Sequence, residues 1–249
     1  NAKSLAATTT GTVTATINTT QTVAKLAELR KPNDSEEETH AWTIEIRTED
    51  AANCTAAQLN TINDATSVAV DVDKVTALAS SNLTDLATLH TNRAGFSNTS
   101  NIATINLTDN GGGGDGNVDF GTLHTVISNY KTNINTDVSF VPESADTIDI
   151  DSTDELADFL THISNDNLTL DNQSITVDSS VAVSVANAKS LATDTTGTVT
   201  ATIETVVAAS LVGLRTPDNT NNETHNWTIT IKAGGEGEDC TAAQLNTIN

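Results

Sequence analysis

The sequence predicts an α/β chain: a right-handed solenoid in which each coil holds one strand and one short helix, with a parallel sheet along one side. Three observations predict it. NAKSLAATTTGTVTATI at residue 1 returns as NAKSLATDTTGTVTATI at residue 187, so a repeat of 186 residues runs through the chain. Inside that period, strand-like and helix-like stretches alternate roughly every 25 to 35 residues, the spacing of solenoid coils. The apolar residues are mostly Val, Ile, Leu and Ala, with 3% aromatics and no Met, which suits thin stacked layers better than one thick aromatic centre. The alternatives are an all-β solenoid, in which the helical stretches are turns, and a string of β-sandwich domains.

The strands are expected where β-branched residues alternate with polar ones at a period of two. These stretches are 11–17 (GTVTATI), 42–46 (WTIEI), 67–72 (SVAVDV), 102–107 (IATINL), 147–150 (TIDI), 174–177 (SITV) and 197–203 (GTVTATI). Between them Leu, Ile and Ala recur at helical spacing, which predicts helices over Val23 to Leu29, Ala56 to Ile62, Val75 to Leu89, Phe120 to Ile127, Leu156 to Ile163, Ala188 to Leu191 and Val206 to Leu214. Several open with a capping residue: Thr55 before Ala56, Asp119 before Phe120, and Ser152 spaced from Glu155 as a capping box. A strand, a crossover helix and a parallel strand make a right-handed unit, which sets the expected hand.

The long repeat sets the domain organisation. The match continues through ETHAWTIEI and ETHNWTITI and closes on CTAAQLNTIN at residues 54 and 240. One complete repeat therefore occupies 1–186, and 187–249 is the first third of the next, matching 1–63. A parent protein with more copies is expected. The segment 109–119, DNGGGGDGNVD, interrupts the pattern and is expected to be an insert loop.

Charge excludes whole classes of partner. With 33 Asp+Glu against 11 Lys+Arg the chain carries −22. Phosphate backbones and anionic lipid surfaces need clustered Lys and Arg, so nucleic acid and membrane surfaces are not expected partners. No run of about 18 apolar residues exists to span a bilayer. Divalent cations are what such a field attracts, and they would relieve its self-repulsion.

Candidate ligands for a cation follow. Asp109, Asp115 and Asp119 flank the glycines of the insert and offer oxygens to Ca2+, which takes about six to eight. Gly234-Gly-Glu-Gly-Glu-Asp239 matches the first six positions of the G-G-x-G-x-D calcium-binding nonapeptide, which adds Asp239. A solvated loop is the plainer reading of both segments. Asp71 and Asp73 share one strand face, and Asp146, Asp149, Asp151, Asp154 and Glu155 crowd around another. Paired carboxylates can serve as acid and base on glycans, yet no sugar-binding aromatic platform accompanies them, and a solvated face is expected. His90, His124 and His162 are expected near helix ends, where a cation complements the dipole, and no His pair has the spacing of a helical zinc site. Cys54 and Cys240 occupy the same position in successive repeats, too far apart to bridge each other, and each is expected to be buried at a helix start, the alternative being a cross-link to another molecule. No nucleophile elbow, phosphate-binding loop or dinucleotide fingerprint is present, so the chain is not expected to be an enzyme.

GTVTATI, CTAAQLNTIND and SVAVDVDKVTAL, set in Thr-, Ala- and Asp-rich arrays, resemble the repeats of very large cyanobacterial cell-surface proteins, often linked with calcium-binding RTX-type secreted proteins. The resemblance covers the chain through its repeat style. It implies export, a surface or filamentous location, and a role in adhesion, motility or envelope building, with no catalytic residues. The expected function is thus a structural repeat of a giant extracellular protein that self-associates into a fibre, sheath or surface layer. A calcium-stabilised adhesin stalk is the alternative, and a polysaccharide-active solenoid enzyme a distant third.

Overall fold

A computed structural model describes residues 2, 4, 11–18, 21–29, 40–47, 53–108, 116–143, 146–211, 214 and 225–232. The fold is mixed α/β, and every strand pairing among the described residues is parallel. The chain divides into two compact units, residues 1–110 with 125–141, and residues 111–124 with 142–249. The division does not fall at the repeat boundary, because strands from both sides of residue 186 share one sheet.

The first unit contains β1 (Thr14–Thr16), α1 (Val23–Ala27), β2 (Ala41–Thr43), α2 (Ala56–Asn63), β3 (Val70–Asp71), β4 (Ala77–Ser81), α3 (Leu83–Thr91), β5 (Phe96–Ser97), β6 (Thr104–Leu107) and β8 (Ser139–Val141). Thr14 lies opposite Ala41, 27 residues on. Bridges from His40 to Thr66 and from Glu45 to Asp71 carry the ladder to β3, and Val70 lies opposite Phe96. A second ladder joins β4, β6 and β8, with Leu78, Ile105 and Phe140 in line and each fully buried. The helices start where the sequence supplies a cap. Thr55 and Gln58 form a reciprocal capping box on α2, and the Asn82 side chain accepts from Asp85 N at 2.7 Å to open α3. Asn60 Nδ2 donates to the Asp85 carbonyl at 2.9 Å, tying α2 to α3.

The second unit contains β7 (Asn117–Asp119), the start of α4 (Phe120–Asn133), β9 (Thr147–Ile150), α5 (Thr153–Ser164), β10 (Ser174–Val177), β11 (Ala182–Val183), α6 (Val185–Asp194), β12 (Val199–Val206), α7 (Ala208–Leu211) and β13 (Asn226–Ile231). β7, β9, β10 and β12 lie side by side. β11 continues the β10 edge of β12, and β13 covers its other edge. Val118, Ile148, Ile175 and Val199 stack across four strands at 0 to 1% exposure. A row of matched aliphatics of this kind fixes register, since a slip of one residue would turn the whole row to solvent. Buried polar groups fix it again. The Gln173 amide donates to Pro142 O at 2.9 Å and accepts from Asp171 N, while Thr195 Oγ1 donates to Gln173 O at 2.5 Å and accepts from Gly197 N. Gly197 passes so close that a Cβ there would overlap the Gln173 carbonyl.

Several sequence expectations are corrected. Val75 to Leu89 is a strand followed by a helix: Ala77, Leu78 and Ala79 favour helix locally, but Leu78 gains burial in the ladder with Ile105 and Phe140, and Asn82 starts the helix afresh. The segment 109–119 is not loop throughout, since Asn117–Asp119 is a strand paired with β9; residues 109–115 lie outside the described residues. In 67–72 only Val70–Asp71 forms a strand. Val206, expected in a helix, ends β12. The few aromatics are concentrated inside, with Trp42, Phe120, Tyr130, Phe140 and Phe159 all fully buried.

Candidate functional site

Of the four candidate calcium ligands, Asp109, Asp115 and Asp239 lie outside the described residues, as does the whole Gly234–Asp239 segment. Asp119 ends β7 and is already engaged. Its Oδ1 accepts from Thr122 N at 2.7 Å, which caps α4 and places the carboxylate at the positive end of the helix. In register with it on β9 lies Asp149. Glu155 stands close by, since a Cβ on Gly121 would be 3.0 Å from Glu155 Oε1 and 3.6 Å from Asp119 Oδ1. Glu155 accepts from Asp151 N at 2.8 Å, and with Asp154 it occupies the first turn of α5. Backbone N–H groups and helix N-termini thus compensate Asp119, Asp154 and Glu155. Among the described residues no group of three or more His, Cys, Asp or Glu side chains is arranged to hold a metal.

Asp71 and Asp73 come together as a turn, not as an acid and base. Asp71 Oδ1 accepts from Asp73 N at 3.0 Å and from Asn98 Nδ2 at 2.8 Å, and Asp73 accepts from Asn101 Nδ2 at 2.9 Å and from Lys74. The Lys74 ammonium holds the Asp73 carboxyl below the usual carboxylate range, the opposite of what a general acid at neutral pH needs. Asp146 is buried and accepts from Glu143 N at 3.1 Å. Each carboxylate of the two acidic groups that the hydrogen bonds account for has a structural task.

The histidines divide. His40 and His225 do the same work in the two copies, each Nδ1 accepting from a main-chain N–H at 3.2 Å, Val13 and Val199 respectively, with the ring tilted against Trp42 or Trp227. His90 and His162 sit in last turns, as expected. Burial, with Arg93 adding to it, holds His90 below its ordinary value. His124 differs from expectation, because it lies in the opening turns of α4 and meets His162 of α5, with Nδ1 and Nε2 3.1 Å apart. Phe120 packs against both rings; Asp158 Oδ2 is 3.7 Å from His124, and the Asn167 amide 3.3 Å from His162. In this pair one ring donates and the other accepts, so it joins α4 to α5 through a single shared proton. Sequence reasoning missed it because the residues are 38 apart, and only the packing of successive helices brings them together. Cys54 is buried beside the start of α2, as expected, and is not in a disulfide; Cys240 lies outside the described residues.

In the first unit Leu59, Val72, Leu89, Phe96, Ile102 and Ile134 line an apolar recess with Arg93 and Thr99 at its side. Its interior holds about 10 Å³, room for barely one water, far too little for a small-molecule ligand. No described helix is long and apolar enough to cross a membrane. Comparison with known protein families, with characterised proteins and with solved structures found no match. What repeats in this molecule is a strand junction, formed twice from the same residues: Ala15 opposite Trp42, and Ala201 opposite Trp227.

Proposed function

We propose that the chain is a structural repeat of a very large extracellular protein, a right-handed solenoid whose coils stack into a surface fibre, sheath or surface layer. One observation carries this reading: the two copies of the shared sequence pair their strands in one register, with Thr14, Ala15 and Thr16 facing Ala41, Trp42 and Thr43 just as Thr200, Ala201 and Thr202 face Asn226, Trp227 and Thr228. What supports it further is that parallel partners in every ladder among the described residues lie about 20 to 35 residues apart, from Ala182↔Thr202 to Thr104↔Ser139, the spacing of solenoid coils. An architecture of that kind grows by adding coils and needs no cleft. An acidic, Thr-rich exterior with no basic cluster suits a hydrated external location.

The experiment is electron microscopy of a concatemer of the 186-residue repeat. Roughly six or seven coils at about 4.8 Å each give thin filaments with an axial period on the order of 30 Å. Separate beads on a string would refute the reading. A calcium-stabilised stalk is the same architecture with ions added, and the observation that favours it is the register that sets Asp119 opposite Asp149 on neighbouring strands. It requires Ca2+ to raise the melting temperature beyond Mg2+ at equal ionic strength, an increment that EGTA removes.

A further inference from the structure

The heptapeptide Gly-Thr-Val-Thr-Ala-Thr-Ile occurs at 11–17 and at 197–203, and the structure holds it in two settings. At 197–203 it lies on β10, with Val199 opposite Ile175 and Thr200 opposite Thr176. Val199, Ala201 and Ile203 are then 0%, 3% and 2% exposed. At 11–17 the strand β1 pairs with β2 alone among the described residues, and Val13 and Ala15 are only half-buried. The second shared segment shows the reverse. In the first copy Trp42 and Ile44, each 1% exposed, are covered by residues 66–71. Thr66 Oγ1 donates to Trp42 O at 2.7 Å and accepts from Trp42 N at 3.0 Å, and Asp71 N donates to Ile44 O at 2.9 Å. In the second copy the equivalent Trp227 and Ile229 of β13 are half-buried, and no described strand pairs outside β13. The two copies agree in sequence, register and histidine contact, and they differ in that a described segment pairs along the outer edge of β2 and along the β10 edge of β12 but along neither the matching edge of β13 nor that of β1.

We infer that both edges are seats for another copy of the same repeat, in a register the molecule already displays. β1 takes the β10 of another copy, with that strand's Ile175 opposite Val13 and its Thr176 opposite Thr14. The outer edge of β13 takes a copy of residues 66–72, whose threonine equivalent to Thr66 closes on the main chain of Trp227. This rests on the stacked-coil reading and adds to it the partner and the register. Affinity comes from main-chain hydrogen bonds along a strand edge, and specificity from side chains that must fit the gap beneath. Gly197 already shows that fit, lying against the backbone of Asn172 and Gln173 where a Cβ would collide; Gly11 is the same residue of the first copy.

The test compares the 249-residue chain with the same chain extended after Asn249 by a second copy of residues 64–108. Both carry 5-fluorotryptophan, and Trp227→Phe assigns the two fluorine resonances. In the unextended chain the Trp42 signal is expected to ignore exchange of H2O for D2O while the Trp227 signal shifts. In the extended chain the Trp227 shift should fall to the Trp42 level, and Asp at the appended position equivalent to Thr66 should restore it. A Trp227 that stays solvent-sensitive in the extended chain overturns the seat. So does an appended segment that gains no amide-exchange protection, since an edge that fits must fold it. If Trp42 is as solvent-sensitive as Trp227 in the unextended chain, the stacked-coil reading itself falls.

Discussion

Thr66→Val tests whether buried hydroxyls hold one strand segment to the next. Val has the shape of Thr, so the change isolates the hydroxyl, which is 7% exposed as part of its residue and bonds Trp42 N, Trp42 O and Val68 N. Val68 is exposed and its N–H can turn to water. Trp42 is 1% exposed, and its N–H and C=O lose that partner. Each such group costs about 1–3 kcal/mol, so the loss is roughly 2–5 kcal/mol after the small gain from an added methyl. For a chain of this size about 1 kcal/mol moves the melting temperature by roughly 2–4 °C, which gives a drop of about 5–20 °C. Thr66→Ser keeps the hydroxyl and sheds one methyl, a cost near 1 kcal/mol. Urea unfolding followed by tryptophan emission should therefore rank wild type above Ser and Ser above Val. If Val matches wild type, the hydroxyl carries nothing and the argument fails.

Ile148→Ala opens a cavity in the middle of a four-strand aliphatic row at a fully buried position and should cost about 2–5 kcal/mol, read in the same urea titration. Asp119→Ala removes the cap of α4 and should cost about 0.5–2 kcal/mol, whereas Asp119→Asn, which also caps, should cost far less; equal losses for both would mean that the charge and not the cap matters. His90 resists protonation when folded because it is half-buried and close to the Arg93 charge, and takes up a proton at its ordinary value of 6.5 once unfolded. The unfolded chain thus binds more protons, and this contribution is present above pH 6.5 and lost as pH falls through it. The difference in melting temperature between wild type and His90→Gln, followed from pH 8 to pH 5, should shift against wild type on acidification.

Local chemistry made some elements legible and tertiary contacts hid others. Thr147–Ile150 and Ser174–Val177 were readable to the residue because their β-branched alternation and their place in the aliphatic rows agree. The caps at Thr55 and Asp119 were equally plain, whereas the reciprocal bond from Gln58 that completes a box at Thr55 was not read. β4 was hidden because Ala-Leu-Ala prefers helix in isolation, and the strand exists through Ile105 and Phe140, which lie far along the chain. β8 (Ser139–Val141) and β11 (Ala182–Val183) are too short to show a period. Around the candidate site, the acids could be counted but their partners could not. Asp119 already carried the signal of a helix start, which competes with the role of a cation ligand. The meeting of His124 with His162 depends on how α4 packs against α5, and no short-range pattern encodes that.

The burial of Cys54 bears on how the protein would age. Sulfur is the first target of peroxide, through thiolates and thioethers that solvent can reach. This chain has no methionine, and the Cys54 residue is 0% exposed beneath its helix. Among the described residues peroxide therefore finds no sulfur at the surface, and the thiol is reached only when the packing around it opens, so its oxidation would report local unfolding.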